Sequence, residues 1–303
     1  MKIRMIMPGL LLMWFAFTAN AQSMNSRSYI TPSGSDNRPC TRNQPCRTFE
    51  GAMAKTEDGG EILALETSTY DPVTITKSVT LTAAPTADVV IKATSGNAVT
   101  ISPTGGATVV LRGLKLSGPG KASNSNGVLV NVGQNTGSAI FVENCVISDF
   151  GTGVSSIVST SARVTINDSV IRNNNTGFLV EMAGTDAMSA AVTRTRFERN
   201  SAGVKSLGGG TVSIKDSFAS SNNIGFLAEA SGTIYLFNCI ATQNGTAAEA
   251  RPLGNITIGY SMFSGNNVGF DAQGSITTMG NNMVHGNGSD ILGFANVTAL
   301  TPQ

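Results

Sequence analysis

The segment Val164-Thr-Ile-Asn-Asp-Ser-Val-Ile-Arg-Asn-Asn-Asn-Thr-Gly-Phe178 recurs along the chain. It aligns without a gap with Val212-Ser-Ile-Lys-Asp-Ser-Phe-Ala-Ser-Ser-Asn-Asn-Ile-Gly-Phe226. Copies of this template begin at Ile140, Val164, Ala190, Val212, Ile234 and Ile256. The spacing between starts settles at about 22 residues, and self-similarity at such a fixed period is typical of a solenoid.

Each position of the template forms a column when the copies are stacked. The first and third columns are aliphatic and alternate with polar residues, as a strand with one buried face requires. The sixth column holds small residues: Cys145, Ser169, Thr195, Ser217, Cys239 and Ser261. The eleventh column is Asn174, Asn200, Asn222, Asn244 and Asn266. The fourteenth is Gly153, Gly177, Gly203, Gly225 and Gly269, which predicts a backbone bend with positive φ.

A coil of about 22 residues cannot bury its own inner face, but stacked coils can. The columns therefore predict an all-β, single-stranded, right-handed parallel β-helix of about nine or ten coils. Asn at one position of every rung can pass amide hydrogen bonds along the stack. A propeller blade needs nearly twice this period, and the Leu pattern of a leucine-rich repeat is absent.

Three regions are predicted along the chain. Residues 1–21 resemble a signal peptide, with Lys2 and Arg4 ahead of an apolar run and a small-residue cleavage site, so the mature protein is expected to be secreted, periplasmic or at the cell surface. Residues 22–72 form an N-terminal cap segment whose helix, Thr48–Lys55, would cover the first rung. Residues 73–303 form the β-helix. No membrane span is expected after cleavage.

The four cysteines divide into two pairs by position. Cys40 and Cys46 each follow a proline, and a local disulfide is expected in an oxidising compartment. Cys145 and Cys239 share the sixth column four rungs apart. At about 4.8 Å a rung they would be roughly 19 Å apart, so they are predicted to be free, buried thiols.

The head of the chain adds a family resemblance to the repeat. The segments that carry it are Tyr29-Ile-Thr-Pro-Ser-Gly-Ser-Asp36, Pro45-Cys-Arg-Thr-Phe49, Gly60-Glu-Ile-Leu63 and Val73-Thr-Ile-Thr-Lys-Ser-Val-Thr-Leu81. Together with the Asn column they resemble the pectin-lyase-like superfamily of secreted right-handed β-helix proteins. The resemblance implies that fold. It implies no single activity, because members include polysaccharide lyases, hydrolases and epimerases as well as tail-spike and adhesin proteins.

The fifth column offers the nearest approach to a catalytic cluster. Asp168, Arg194 and Asp216 stand there on three successive rungs. A glycoside hydrolase needs paired carboxylates, and no Asp-Asp or Asp-x-Asp occurs. A calcium-dependent lyase needs converging carboxylates and a basic residue. The three residues are thus either a weak catalytic site or, as we favour, a salt-bridged stack that neutralises itself; calcium would be a cofactor only of a lyase.

Two other outward features are candidates for binding. Tyr235 and Phe237 alternate on one strand, where an aromatic pair can stack on a sugar ring. The seventh column is largely apolar and would mark an oligomer interface if exposed, unless the C-terminal tail or a long loop covers it. Its members are Val146, Val170, Arg196, Phe218, Ile240 and Met262.

The charge balance limits the partners. The formal net charge is +1 and 13% of residues are charged, which does not fit a nucleic-acid-binding groove. The leading hypothesis is a secreted, non-catalytic β-helix that binds carbohydrate or serves as a structural or adhesive rod. The alternative is a polysaccharide lyase or hydrolase acting on an acidic polysaccharide.

Overall fold

Short strands separated by polar turns dominate the structure, a computed structural model that describes residues 24–132, 137–158, 162–182 and 189–300. The expected signal peptide lies outside these residues. The strands of the first half are β1 (Asn25–Ile30), β2 (Thr56–Ala64), β3 (Ser68–Tyr70), β4 (Val73–Ile75), β5 (Val79–Ala83), β6 (Val89–Lys92), β7 (Val99–Ile101), β8 (Thr108–Arg112), β9 (Lys115–Ser117), β10 (Asn126–Val130), β11 (Ala139–Glu143), β12 (Val146–Ser148), β13 (Thr152–Val158), β14 (Arg163–Asn167), β15 (Val170–Arg172) and β16 (Thr176–Met182).

The second half continues the same succession. Its strands are β17 (Ser189–Thr193), β18 (Arg196–Glu198), β19 (Ala202–Leu207), β20 (Thr211–Lys215), β21 (Phe218–Ser220), β22 (Ile224–Ala228), β23 (Thr233–Phe237), β24 (Ile240–Thr242), β25 (Thr246–Ala250), β26 (Asn255–Gly259), β27 (Met262–Phe263), β28 (Val268–Ala272), β29 (Ser275–Thr278), β30 (Met283–Val284), β31 (Ser289–Leu292) and β32 (Val297–Ala299). One 3₁₀ turn, Phe294–Asn296, precedes the last strand.

Three parallel sheets run the length of the described chain. Sheet 1 contains β1, β2 and every third strand from β5 to β32. Sheet 2 contains every third strand from β3 to β30, and sheet 3 every third strand from β4 to β31. The chain thus visits the sheets in rotation and rises one strand per coil, for about nine turns in the described residues. This is the predicted parallel β-helix.

The columns of the repeat are the rungs of these sheets. In sheet 1, Val164 pairs with Ala190 and Ile166 with Val192, so the first and third columns stack inside. Their side chains are buried in one continuous core with the sixth and fifteenth columns. Since parallel strands stack in register, each inward position of the repeat forms its own buried row of side chains along the axis.

The Asn ladder forms as predicted. Each side chain donates Nδ2 to the Oδ1 of the Asn on the next coil, at 3.0 Å from Asn222 to Asn244. The same Oδ1 accepts the backbone N–H of the preceding Asn, as from Asn222 N at 2.9 Å. The ladder runs one coil further than the template showed, to Asn287, which donates to Asp290. It satisfies buried backbone groups at the turn between sheets 2 and 3.

The prediction of positive φ for the fourteenth-column glycines was wrong. The left-handed residues are instead those of the fifth and tenth columns, such as Asp168 (φ 51°) and Asn173 (φ 57°). The glycines are required by close approach. A Cβ on Gly203 would lie 2.5 Å from the carbonyl oxygen of Gly225 on the next coil. Backbone proximity, not backbone handedness, therefore excludes a side chain at this column.

The N-terminal segment contains one α-helix, α1 (Phe49–Met53). It is shorter than the predicted Thr48–Lys55, because Thr48 is the N-cap and the helix ends at Met53 with Ala54 as the C-cap. The Thr48 side chain caps it by accepting from Gly51 N at 2.9 Å. Phe49, Ala52 and Met53 are its buried residues, and it packs against β1, β2 and β4. Its role as a cap on the first coil stays a prediction.

The cysteines take the expected states. Cys40 and Cys46 are joined by a disulfide, and Cys145 and Cys239 are free and buried. Within the described residues, no helix has the length and hydropathy needed to cross a bilayer.

Candidate functional site

The corner between sheets 1 and 2 places a row of functional side chains on the outside of the coil. Sheet 1 strands end at the fourth column, and the fifth-column residue turns the chain in the left-handed conformation. Because this conformation repeats on successive coils, the fourth- and fifth-column side chains form a continuous band, which we call the corner strip. Its members are Arg112, Glu143, Asn144, Asn167, Asp168, Thr193, Arg194, Lys215, Asp216, Phe237, Asn238, Gly259 and Tyr260.

The N-terminal half of the corner strip is charged and paired. Arg194 donates Nε and Nη2 to the two carboxylate oxygens of Asp168, at 2.7 and 2.8 Å. Arg112 binds Glu143 at 2.8 Å. These side chains, with Asn144 and Asn167, line a shallow depression of about 410 Å³. The depression thus contains both positive and negative side chains, and each arginine is paired with a carboxylate.

Asp216, the third member of the predicted cluster, has other partners. It accepts a hydrogen bond from Asn238 Nδ2 at 2.6 Å and lies 4.0 Å from Lys215 Nζ. The structure therefore brings Asp168 and Arg194 together, while Asp216 is held by Asn238. This arrangement is closer to a row of pairs than to a convergent site.

The protonation states at the corner strip are set by this pairing. The hydrogen bonds from Arg194 hold the pKa of Asp168 below its usual range. The same bonds raise the pKa of Arg194. An ionised carboxylate and a charged guanidinium bound to each other provide neither a proton donor nor a free base near neutral pH. The pair orients side chains and presents polar atoms to a ligand.

The residues present do not fit a calcium site. Calcium takes six to eight oxygen ligands, of which several are carboxylates. Across the described ranges, no group of three or more His, Cys, Asp or Glu side chains converges on one point. At the corner strip, the guanidinium of Arg194 occupies both oxygens of Asp168.

Three exposed aromatic side chains lie in and beside the C-terminal half of the corner strip: Phe237 and Tyr260 belong to the strip, and Tyr235 is the second-column residue next to it on β23. Tyr235 and Phe237 are 47% and 43% exposed on β23, and Tyr260 on the next coil is 60% exposed. The rings of Phe237 and Tyr260 are 5.1 Å apart between centroids and tilted by 57°. Lys215 Nζ lies 5.9 Å from the centroid of Phe237. We call Tyr235, Phe237 and Tyr260 the aromatic platform.

Sequence reasoning placed Tyr235 and Phe237 outward but missed Tyr260. The signal was its position, since Tyr260 is the fifth-column residue of the last full copy and every other member of that column is polar. An exposed tyrosine in the left-handed conformation (φ 53°) is an unusual use of a corner position. The corner geometry points its ring at Phe237.

Gly259 allows the Met279 side chain to pack closely beside the aromatic platform. It is the fourth-column residue next to Phe237 in the sheet register. A Cβ built there would lie 2.8 Å from Met279 Sδ and 3.6 Å from Phe237 Cδ2. The absence of a side chain at Gly259 therefore leaves room for the thioether of Met279 near the Phe237 ring.

The apolar seventh column lies on the outer face of sheet 2 and is half-buried for most of its length. Ile240 is its most exposed aliphatic member at 37%. The C-terminal strand β32 pairs with β29 in sheet 1 and so continues the stack. Oligomerisation through this column stays a prediction.

Comparison with known proteins bears on the fold. No family model and no curated protein matches the chain. The solved structure of pectate lyase Pel9A is similar over 92% of this chain and 79% of its own, with a TM-score of 0.71 and 17% identity. The chain shares the parallel β-helix fold of this lyase.

Two further β-helix structures agree with that assignment. A rhamnogalacturonan lyase matches 90% of this chain and 86% of its own at a TM-score of 0.58 and 14% identity. The A-module of the Azotobacter vinelandii mannuronan C-5 epimerase AlgE4 matches 80% and 91% at a TM-score of 0.52 and 14% identity. At these identities the likeness shows the parallel β-helix fold alone.

Proposed function

We propose that this protein is a secreted, non-catalytic carbohydrate-binding β-helix that stacks a polysaccharide on its aromatic platform. The observation that carries the proposal is the exposure of Tyr235, Phe237 and Tyr260 next to one another on the outside of the coil, with Phe237 and Tyr260 in the corner strip and Tyr235 beside it. Large aromatic rings left in water at one place on a soluble protein mark an interaction site. Sugar rings present apolar C–H faces that fit such rings, while their hydroxyls need polar neighbours.

The rest of the corner strip supplies those polar neighbours. Asn238, Asp216 and Lys215 lie immediately beside Phe237. The outward side chains of Tyr235 and Phe237 are two residues apart on one strand, about 7 Å along it. A ligand that crosses the platform along the axis would next meet the amide and charged groups of the paired half. The disulfide and the similarity to polysaccharide-active proteins support an extracellular setting for such a ligand.

The test is affinity electrophoresis of the mature protein in gels that contain neutral or acidic plant and bacterial polysaccharides, followed by calorimetry with oligosaccharides of any polymer that retards it. We expect Tyr235→Ala and Phe237→Ala each to weaken binding about tenfold. Phe294→Ala is the matched control, because Phe294 is 75% exposed outside the corner strip. Absence of retardation in every polymer, or equal loss in the control, would overturn the proposal.

A polysaccharide lyase is the second candidate. The depression at Asp168 and Arg194 favours it, since it lies on the same band as the platform and offers a guanidinium beside carboxylates. Lyase activity requires that Arg194 or a neighbour take a proton, which the ion pair opposes. Incubation with acidic polysaccharides, with and without calcium, and ultraviolet detection of unsaturated products decides between the two. Unsaturated product that forms with the wild type and disappears in Arg194→Ala establishes the lyase. If the wild type forms no such product, the lyase is ruled out and the binding function is retained.

A further inference from the structure

The outer face of sheet 2 carries a cluster of arginines at the middle of the stack. Arg172 ends β15, Arg196 begins β18, and Arg199 occupies the left-handed tenth-column position that follows β18. Glu198 is the only acidic side chain on these two strands. We call Arg172, Arg196 and Arg199 the arginine cluster.

The sheet register brings the cluster together. Arg172 stands directly beside Glu198, and Val170 stands beside Arg196. Arg172 and Arg196 are therefore diagonal neighbours, with Cα atoms about 7–8 Å apart, within reach of long side chains. Arg199 follows Glu198 in the chain at the same edge of the face. The three arginines therefore lie on two neighbouring coils within one short stretch of the chain's outer face.

The charges of the cluster do not cancel. Glu198 forms an ion pair with Arg196. Arg199 is exposed and makes no ion pair within the described chain, and neither does Arg172. By contrast, Arg27, Arg112, Arg194 and Arg251 each bind a carboxylate within 3 Å. Asp149, which follows the residue paired with Arg172 on the preceding coil, adds a second anion, so three cations against two anions leave this part of the face with a local charge of +1.

Arg172 is also incompletely satisfied. Its Nε is buried, and no acceptor among the described residues lies within hydrogen-bond distance. Because this nitrogen is buried while the residue as a whole is half-buried, a ligand reaches Arg172 from the solvent side of its guanidinium and not through Nε. Guanidinium groups bind carboxylates through two parallel hydrogen bonds, as Arg194 does with Asp168 in this same protein.

We propose that the arginine cluster is a second binding site, which takes the carboxylate groups of an anionic polysaccharide. The site is separate from the aromatic platform. It lies on the face of sheet 2, and its strand β18 is two coils from β24, about 10 Å along the axis. The carboxylate replaces water at Arg172 and Arg199, while Glu198 holds Arg196 in place. Two sites on different faces allow one molecule to contact two chains or two segments of one chain.

The experiment uses two polymers that differ in charge. The mature protein is run in gels containing carboxymethyl cellulose or neutral hydroxyethyl cellulose, and its dissociation constants are then measured by biolayer interferometry. We expect retardation by carboxymethyl cellulose only, strong at about 0.01 M salt and lost near 1 M, because the Debye length falls from about 30 to about 3 Å. Arg199→Gln and Arg172→Gln are each expected to weaken binding about tenfold.

Matched variants separate the explanations. Arg42→Gln removes an exposed arginine in the N-terminal segment and should leave carboxymethyl cellulose binding unchanged. Tyr235→Ala should also leave it unchanged, so failure of the platform and failure of this site are distinguishable. Because Arg172 is partly buried, its substitution can disturb folding, and circular dichroism of the variant detects such a defect. In that case the decision depends on Arg199→Gln, since Arg199 is exposed. Equal retardation by the neutral polymer, unchanged binding in Arg199→Gln, or binding to dextran sulfate but not to carboxymethyl cellulose overturns the proposal.

Discussion

Arg194 binds Asp168 across two neighbouring coils through a pair of parallel hydrogen bonds, Nε to Oδ1 at 2.7 Å and Nη2 to Oδ2 at 2.8 Å. Both residues adopt the left-handed conformation at the same corner of successive coils. Their side chains leave the backbone in the same direction, so the register of the repeat brings the two charges together. Because Arg194 neutralises Asp168, this part of the corner strip carries no net charge despite its carboxylate.

The first prediction concerns the ionisation of Asp168. In Arg194→Gln the pKa of Asp168 should rise toward its ordinary value, because the hydrogen bonds that lower it are lost. Carboxyl ¹³C chemical shifts followed as a function of pH measure this pKa directly. Lys115→Gln, which removes the cation paired with Asp88, should leave the pKa of Asp168 unchanged. An unchanged pKa in Arg194→Gln would mean that the ion pair does not persist in solution.

The Asn ladder predicts a large stability effect at its centre. The Asn222 side chain donates to Phe197 O at 2.9 Å and to Asn244 Oδ1 at 3.0 Å, and its Oδ1 accepts from Asn200. Asn222→Ala leaves the buried Asn200 N–H without a partner. We expect a loss of about 2–4 kcal/mol in the free energy of unfolding, measured in urea.

The neighbouring residue provides the control for this variant. Asn223 has the same side chain but is exposed beside the ladder. Asn223→Ala should change the free energy of unfolding by about 0.5 kcal/mol or less. Equal effects of the two substitutions would show that the ladder contributes nothing beyond ordinary polar contacts.

The fourteenth-column glycines predict a steric effect. In Gly203→Ala the new Cβ lies 2.5 Å from the carbonyl oxygen of Gly225 and 3.2 Å from Phe197 Cβ. Since the Gly225 carbonyl oxygen belongs to the backbone, the two coils must separate locally to make room. We expect the free energy of unfolding, measured by heat or urea, to fall by about 2–4 kcal/mol. Gly105→Ala meets no atom within 4 Å and should be neutral or slightly stabilising. A neutral Gly203→Ala would contradict the close approach.

Sequence reasoning could recover the period, the buried columns and the Asn ladder, because each depends on one residue type repeated at one spacing. The separation of Cys145 from Cys239 followed in the same way. The reason for Gly203 could not be recovered, since both a left-handed turn and a close approach select glycine. The decisive feature was the carbonyl of Gly225 on another coil, which no local pattern records.

The candidate sites were predictable only in part. Alternation along β23 placed Tyr235 and Phe237 outside, but Tyr260 joins them through a corner conformation that alternation does not describe. The arginine cluster escaped for a similar reason. In the sequence, Arg196 is a single charged residue in the otherwise apolar seventh column. Its proximity to Arg172 is diagonal, because the two residues belong to different columns on neighbouring coils.

The buried thiols should be inert in the native protein. Burial raises the pKa of Cys145 and of Cys239 to about 11, so about one thiol in a thousand is ionised at pH 8. Ellman's reagent should detect no thiol in the native mature protein and two after unfolding in guanidinium chloride. Two reactive thiols before unfolding would contradict the interior position of the sixth column.

The outer face of sheet 3 predicts an acid-dependent part of the stability. Glu229 accepts Lys205 Nζ at 2.6 Å and Arg251 Nη1 at 2.8 Å, with its side chain 20% exposed. Burial alone would raise the pKa of Glu229, but the hydrogen bonds from Lys205 and Arg251 outweigh it and lower that pKa below the ordinary 4.5. A folded-state pKa below the unfolded value stabilises the fold at pH values above 4.5, and this stabilisation is lost as the pH falls through the folded-state pKa.

Glu229→Gln should therefore destabilise the protein most at neutral pH. We expect the free energy of unfolding, measured in urea, to fall by about 1–2 kcal/mol at pH 7. This difference from the wild type should shrink as the pH is lowered below 4.5, because wild-type Glu229 then becomes neutral as well. Glu61→Gln removes a single ion pair with the exposed Arg27 and should cost about 0.5 kcal/mol or less at pH 7. A difference between wild type and Glu229→Gln that is the same at pH 7 and pH 3 would mean that the carboxylate charge contributes nothing, and that the two cations only pack against its side chain.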